Sequence, residues 1–464
     1  MATSVASHGR AAHDHVALEL ILSMPEFLPF RGIRYDLAKV GEARRVVAPP
    51  YDILSDEAVL DLYRRSPYNI IRIDLGKVQD DGTSTDDWHG RAGALFRSWR
   101  EQGILVDEAE PAYYALRQRY QPPTGGLKEL VGVIGCCRLT PFSQREVLAH
   151  EHTFSKPKED RLRLMRATSA NISQVYAFYS DPERRVQRLL EPVLDKPPAV
   201  SVVDDDGQQH DLWVVTGRDV IEEVKALFCS RPLYIADGHH RYETALAFKE
   251  EREAQEGAGT GGWTHVMMFA ANLDEGGITV LPTHRLIKAV KAPLSLAVLE
   301  AAVGEWYTVE ARTMELQEAL EFAASAVDEE SGRIGCYLGE RRWLWLTPKE
   351  KASIARAIPG ELTPAVKRLT VTALHGLVLP RAFGIGKEEQ SAGGTIEYLR
   401  DAAEGVERVD RKEAAALVYL PAPGPRDILE VASAGDVMPH KSTYFYPKLL
   451  TGLVMNDLAR PAGV

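Results

Sequence analysis

Asp237-Gly238-His239-His240-Arg241 places a carboxylate, two imidazoles and a guanidinium within five residues. Such a density of titratable and oxyanion-binding groups suits chemistry on an anionic substrate. Leu233 to Ala236, just before it, form a short apolar run of the kind a buried strand needs. Tyr242, Ala245, Leu246 and Phe248, just after it, recur at roughly helical spacing. The expected local structure is therefore strand, loop, helix. The amides of a new helix's first turn lack intrahelical acceptors and sit at the positive end of the dipole, which favours a bound anion. Arg241 adds a planar fork that matches phosphate, Gly238 allows close approach to the main chain, and Asp237 and His240 are candidate catalytic groups. A purely structural alternative makes Asp237 an N-cap, the histidines a satisfied core edge, and Arg241 a solvated partner of Glu243 or Glu250.

Other segments repeat these residue types. In His150-Glu151-His152 an extended backbone would set both imidazoles on one side. Two ligands do not make a zinc site, and a third would have to come from His239, His240 or His284, so no metal ligands are assigned. Glu151 is a candidate proton acceptor, and His152 a candidate substrate-binding group. Lys156, Lys158, Arg161 and Arg163 place four cations within eight residues, as a solvated helix face balanced by Glu159 and Asp160 or as part of a phosphate-binding ring with Arg241 and Arg285. Thr283-His284-Arg285 joins a hydroxyl, an imidazole and a guanidinium after a strand-like run. Lys441, Ser442 and Thr443 follow His440 in a tail stiffened by Pro439 and Pro447. That tail reads either as part of the site or as an arm whose Tyr444, Phe445 and Tyr446 merely pack.

The elements that must position these groups give an α+β pattern of mixed, largely antiparallel sheets, without the regular alternation of a doubly wound fold. Residues 1–22 read as a loose leader, 23–110 as an N-terminal α/β segment, and 111–288 as a core sheet domain bearing the Asp237 loop. Residues 289–412 read as a helical and hairpin subdomain, and 413–464 as a C-terminal segment whose tail packs on the core. Val46 to Ala48 before Pro49-Pro50 and Asn69 to Leu75 read as strands. The segment 86–102 reads as a helix closed by Gly103, and 364–383 as one helix. Strands are expected at 112–120 and 128–139, and 265–272 with 278–281 read as an antiparallel pair across Asp274 to Gly277.

The chain has 464 residues, 45% of them hydrophobic, enough for two or three cores. A formal charge of -11 disfavours nucleic acid as a partner. Four cysteines without a Cys-x-x-Cys pair fit a reducing compartment. With no export signal and no run of about 18 apolar residues, a cytoplasmic location without membrane contact is expected. The sequence has no P-loop signature, no Gly-x-Gly-x-x-Gly after a strand and no nucleophile elbow.

Ala48-Pro-Pro-Tyr-Asp52, His150-Glu-His-Thr153, Ala236-Asp-Gly-His-His-Arg241, Leu281-Pro-Thr-His-Arg285 and Met438-Pro-His-Lys-Ser-Thr443 together resemble the bacterial and archaeal family called domain of unknown function 1015. The resemblance runs from about residue 27 to 456. The Asp237 segment alone also resembles the loop of the ParB and sulfiredoxin superfamily, which includes free serine kinases. That second resemblance implies a ParB/sulfiredoxin-like strand-loop-helix, phosphate contacts from Gly238, His239, His240 and Arg241, and Asp237 near the reacting group. It implies a kinase using ATP or ADP with Mg²⁺ on serine or a similar hydroxy compound, with Glu151 as the best match for the catalytic carboxylate. A phosphatase acting on phosphoserine or a similar phosphometabolite, and a nucleotide-binding regulator without turnover, are the alternatives. The expected partner is a small phosphorylated metabolite or nucleotide, and oligomeric state is not legible.

Overall fold

The computed structural model describes residues 25–76, 87–123, 125–151, 153, 155–259, 261–290, 292–326, 332–392, 394–439 and 441–464. The expected leader, His152 and the side chain of Lys156 lie outside that description. Two sheets organise the chain. The larger has nine strands, in the order Val147–Leu148, Leu233–Asp237, Val175–Tyr179, His265–Asn272, Lys128–Arg138, Tyr113–Tyr120, Gln209–Val215 and Val200–Val203, with Phe27–Leu28 paired alongside Lys128–Arg138. Most neighbours run antiparallel, but Leu233–Asp237 runs parallel to Val147–Leu148, and His265–Asn272 parallel to Val175–Tyr179. The fold is thus α+β with a mixed main sheet. Its central strands are buried on both faces and read as near-continuous apolar runs, Leu233 to Ala236 among them.

The second sheet has six strands, all antiparallel: Tyr307–Thr313, Arg342–Pro348, Ile334–Tyr337, Ala416–Tyr419, His284–Ile287 and Ile396–Leu399. It takes strands from either side of the 289–412 segment. The C-terminal tail then returns to earlier parts of the chain: Tyr444–Tyr446 pairs with Thr279–Leu281, Thr451 bridges Ala48, and Met455 bridges Ile33.

Four local expectations are corrected. Asn69 to Leu75 is not a strand: Ile71–Asp74 is helical, because Asn69 donates to the carbonyls of Arg45 (2.9 Å) and Val47 (3.0 Å) and accepts from the Ile71 amide (3.0 Å), forcing a turn. Val46 to Ala48 makes only a single bridge, after the short helix Ala43–Arg45. The segments 265–272 and 278–281 do not pair with each other; Thr279–Leu281 takes the tail strand as its partner instead. The 364–383 helix is broken into Pro364–Lys367, Thr370–Ala373 and a π-helix, Leu374–Phe383, containing Pro380. The helix Trp88–Glu101 lies where the sequence places it, and the cation-rich segment falls on the helix Ser155–Thr168.

Candidate active site

The parallel pairing of Leu233–Asp237 with Val147–Leu148 makes both strands end at the same edge, so His150 and Glu151 leave the sheet beside 238–241. A shift of register between Ile235 and Asp237 against Val175–Tyr179, a bulge at Ala236, re-aims the end of the strand. Gly238 then turns the chain with φ 90°, and the helix His239–Glu256 begins. The first intrahelical bond runs from the Tyr242 amide to the Gly238 carbonyl at 3.0 Å, so the preceding amides form an open first turn. A β-carbon on Gly238 would stand 2.9 Å from Nε of Arg241. The room beside this glycine is therefore filled by the arginine of its own loop.

Asp237 is the electrostatic anchor of the turn. Nη2 of Arg241 donates to Oδ2 at 2.6 Å, and Nζ of Lys448 donates to Oδ1 at 2.5 Å. Burial pushes the Asp237 carboxyl up, but Lys448 and Arg241 outweigh it and hold the group down at about 2. Arg241 also donates to the Gln174 carbonyl through Nη1. Lys448, raised by Asp237 against its own burial, sits 4.3 Å above the Tyr444 ring, and its carbonyl accepts from Gln118 at 2.9 Å. Two cations, Arg241 and Lys448, thus meet on one carboxylate beneath the helix start.

Glu151 stands beside this turn. Its Oε2 lies 3.8 Å from Nδ1 of His239, the first residue of the helix, and Oε1 accepts from the Thr443 hydroxyl at 2.9 Å. That hydroxyl has one proton, so it accepts from Nε2 of His150 at 3.2 Å. Nε2 of His239 accepts from the His150 amide at 3.3 Å, which leaves the ring proton on Nδ1, facing Glu151. The two imidazole rings meet edge to face, 4.7 Å between centres. Burial lowers both: His150 falls to about 4, and His239, with His150 adding to the effect, falls well below the ordinary histidine value. His240, half-buried, is lowered mainly by burial, with Glu243, Glu151 and Asp52 pulling the other way. The Glu151 side chain keeps 32% of its exposure, enough to meet a ligand.

Lys158 is held by Glu243 at 2.6 Å, and the Thr153 hydroxyl donates to the same oxygen at 2.5 Å. Glu243 thus partners Lys158, not Arg241. Arg161 lies one layer behind, bonded to Asp74 and Asp160 and 4.1 Å from the Tyr51 ring. Glu151, Asp237, Gly238, His239, His240, Arg241, Lys158 and Thr443 are brought together. Thr283, His284, Arg285, Lys441 and Ser442 are not: they gather at the second sheet. There His284 stacks on Tyr419, and Arg285 bonds His375, the Thr283 carbonyl and the Lys441 carbonyl.

A family model described as protein of unknown function (DUF1015) matches residues 27–372, more than half of the sequence. The chain belongs to the DUF1015 family. No curated protein matches the sequence. Among solved structures, a free serine kinase in complex with AMP is similar at 16% identity and TM-score 0.30, over 68% of this chain and 86% of that one. A conserved hypothetical protein from Pyrococcus furiosus is similar at 15% identity and TM-score 0.29, over 66% of this chain and 92% of that one. SbnI with C-terminal truncation, from Staphylococcus aureus, is similar at 12% identity and TM-score 0.31, over 68% and 85%. These are distant likenesses.

In this DUF1015 chain the site is completed by three residues that are not among the candidates named from the sequence, although Asp52 ends the Ala48-Pro-Pro-Tyr-Asp52 motif. Lys448 is 211 positions from Asp237, and no spacing rule reaches that far. Gln174 contributes only a backbone carbonyl. Asp52 is an exposed carboxylate at the end of the Pro49-Pro50 corner, close enough to act electrostatically on His240 and Lys448. The stiff corner before an acid was the signal available for it. Among the described residues no group of three His, Cys, Asp or Glu side chains is arranged to hold a metal ion, and no helix is long and apolar enough to cross a membrane.

Proposed function

We propose that the protein is a nucleotide-dependent phosphotransferase acting on serine or a related small hydroxy compound. The observation that carries this reading is the contact between Glu151 and the first residue of the helix His239–Glu256: a partly exposed carboxylate stands 3.8 Å from the turn best suited to phosphate. The open amides together with Arg241 and Lys448 bind and orient the phosphate chain. Glu151, its carboxylate oriented by Thr443, accepts the proton of the substrate hydroxyl, whose oxygen attacks the terminal phosphorus as the bond from that phosphorus to the bridging oxygen breaks and the nucleotide leaves one phosphate shorter. Asp237, held at about 2 and doubly ion-paired, positions cations and does not exchange protons near neutral pH. Asp52, an exposed carboxylate at the rim, would hold Mg²⁺, which takes one or two carboxylates together with phosphate oxygens and water. The chemistry supplied there by the ion would be neutralisation of phosphate charge.

The test is product formation. The purified chain with Mg²⁺, serine and either ATP or ADP should yield phosphoserine only when nucleotide is present. Phosphate released from phosphoserine without nucleotide would replace the kinase with a phosphatase. No turnover across a panel of hydroxy compounds and their phosphates would leave a nucleotide-binding role.

A further inference from the structure

Of the residues that stay away from Glu151, Thr283, Arg285 and Ser442 line a cavity of about 240 Å³. Its walls carry Arg285, Lys351 and Arg368 together with the hydroxyls of Thr283, Thr370 and Ser442, and an apolar turn at 420–423 closes one side. Among the described residues of that lining the one carboxylate is Asp427, engaged in capping the Gly424 amide at 2.8 Å, and Arg368 is ion-paired at 2.6 Å with Glu430, which is not part of the lining.

Arg285 is the unusual member. It is 1% exposed, yet its three nitrogens donate only to neutral acceptors: Nε2 of His375 at 3.1 Å, the Thr283 carbonyl, and the Lys441 carbonyl at 3.3 Å. The Tyr398 ring lies 5.2 Å from the guanidinium carbon. His375 is fixed as an acceptor there because its Nδ1 pairs with Oε1 of Gln390 at 2.8 Å. Among the described residues no carboxylate forms an ion pair with Arg285, and burial pulls the guanidinium down to about 10. A buried charge without a counter-ion is costly, and an anion in the adjoining cavity offsets that cost. Three of the five N–H groups are used, so two remain for such an anion.

We propose that this cavity binds the phosphate or carboxylate group of a small anionic metabolite, with Arg285 at its floor and Lys351 and Arg368 at its rim. It is separate from the Glu151 site, and the two are joined by three consecutive residues: Lys441 and Ser442 serve the cavity, and Thr443 serves Glu151.

Titration calorimetry of the full chain with inorganic phosphate and, separately, with malonate tests the proposal, using Lys351→Ala, Arg368→Ala and the cavity-filling Thr370→Trp beside the natural sequence. At least one anion should bind, and each variant should weaken it about tenfold or more, as loss of a charge-assisted contact requires. The tighter of the two anions names the recognised group. ADP titrated into the same variants should bind as it does to the natural chain, which keeps this result apart from the fate of the nucleotide reading. Absence of binding by both anions at millimolar concentration, or binding equal in all three variants, overturns the proposal. So does a loss of phosphate binding that is matched by an equal loss of ADP binding.

Discussion

Asp237 and Glu151 are equivalent candidates for the proton acceptor when only residue types and motifs are weighed, and their surroundings separate them. Asp237 is closed in by Lys448 and Arg241 and held at about 2, whereas Glu151 is partly exposed and shares its oxygens with a hydroxyl and an imidazole. Substitution should therefore have opposite consequences. Asp237→Asn leaves two buried cations short of their counter-charge and should cost about 3–5 kcal/mol of stability, read from urea denaturation. Glu151→Gln should leave the denaturation midpoint near that of the natural chain and nucleotide affinity within about threefold, while turnover falls by roughly 10²- to 10⁴-fold. An active Glu151→Gln enzyme would move the role to another group, with Asp52 and His240 the next carboxylate and imidazole at the rim.

At the scale of elements, the site depends on one strand, one glycine and one helix. Gly238 has φ 90°, and any β-carbon there runs into Arg241. Gly238→Ala should thus lose about 1–2 kcal/mol from the left-handed backbone alone, with a further loss as the guanidinium is displaced from Asp237. A thermal midpoint unchanged from the natural chain would show that the loop can relax. This unit was legible in the sequence because an apolar run, a glycine and a helical repeat follow each other within a few residues. The same local logic failed at Asn69 to Leu75, where apolar residues lie on both sides of the chain and the side chain of Asn69 decides the conformation through bonds to residues more than twenty positions earlier. It failed again at Thr279–Leu281, whose partner strand lies in the distant tail. What placed Thr443 and Lys448 beside the helix start was long-range pairing, and nothing in local pattern encodes that. The same pairing drew Thr283, His284 and Arg285 to the second sheet, dividing motifs that look alike in sequence between two places.

Across the whole molecule the C-terminal tail closes the structure, bridging Ala48 and Ile33 and pairing with Thr279–Leu281, so the site exists only when the distant segments are docked. Three buried histidines make that docking sensitive to acid. His150 faces His239, Glu151, Thr443 and, at longer range, Asp237; His284 faces Arg285, Tyr419 and Asp401. Burial lowers His150 and His284 to about 4 each, and His239 falls too. In the unfolded chain these rings titrate near 6.5, so between about pH 6.5 and 4 the unfolded state binds protons that the folded state does not. Unfolding free energy must then rise with pH across this window and level off above it. A shift of this size corresponds to roughly 3 kcal/mol for each histidine at full effect. Asp237, lowered from its ordinary value to about 2, extends the loss below pH 4. Urea denaturation from pH 8 to pH 4 should therefore show a plateau followed by a fall that begins near pH 6.5, before most carboxylates titrate. His150→Gln should make that fall shallower. A profile flat down to pH 5 would mean that these imidazoles take up protons without unfolding the chain, and that the tail is not docked on neutral histidines.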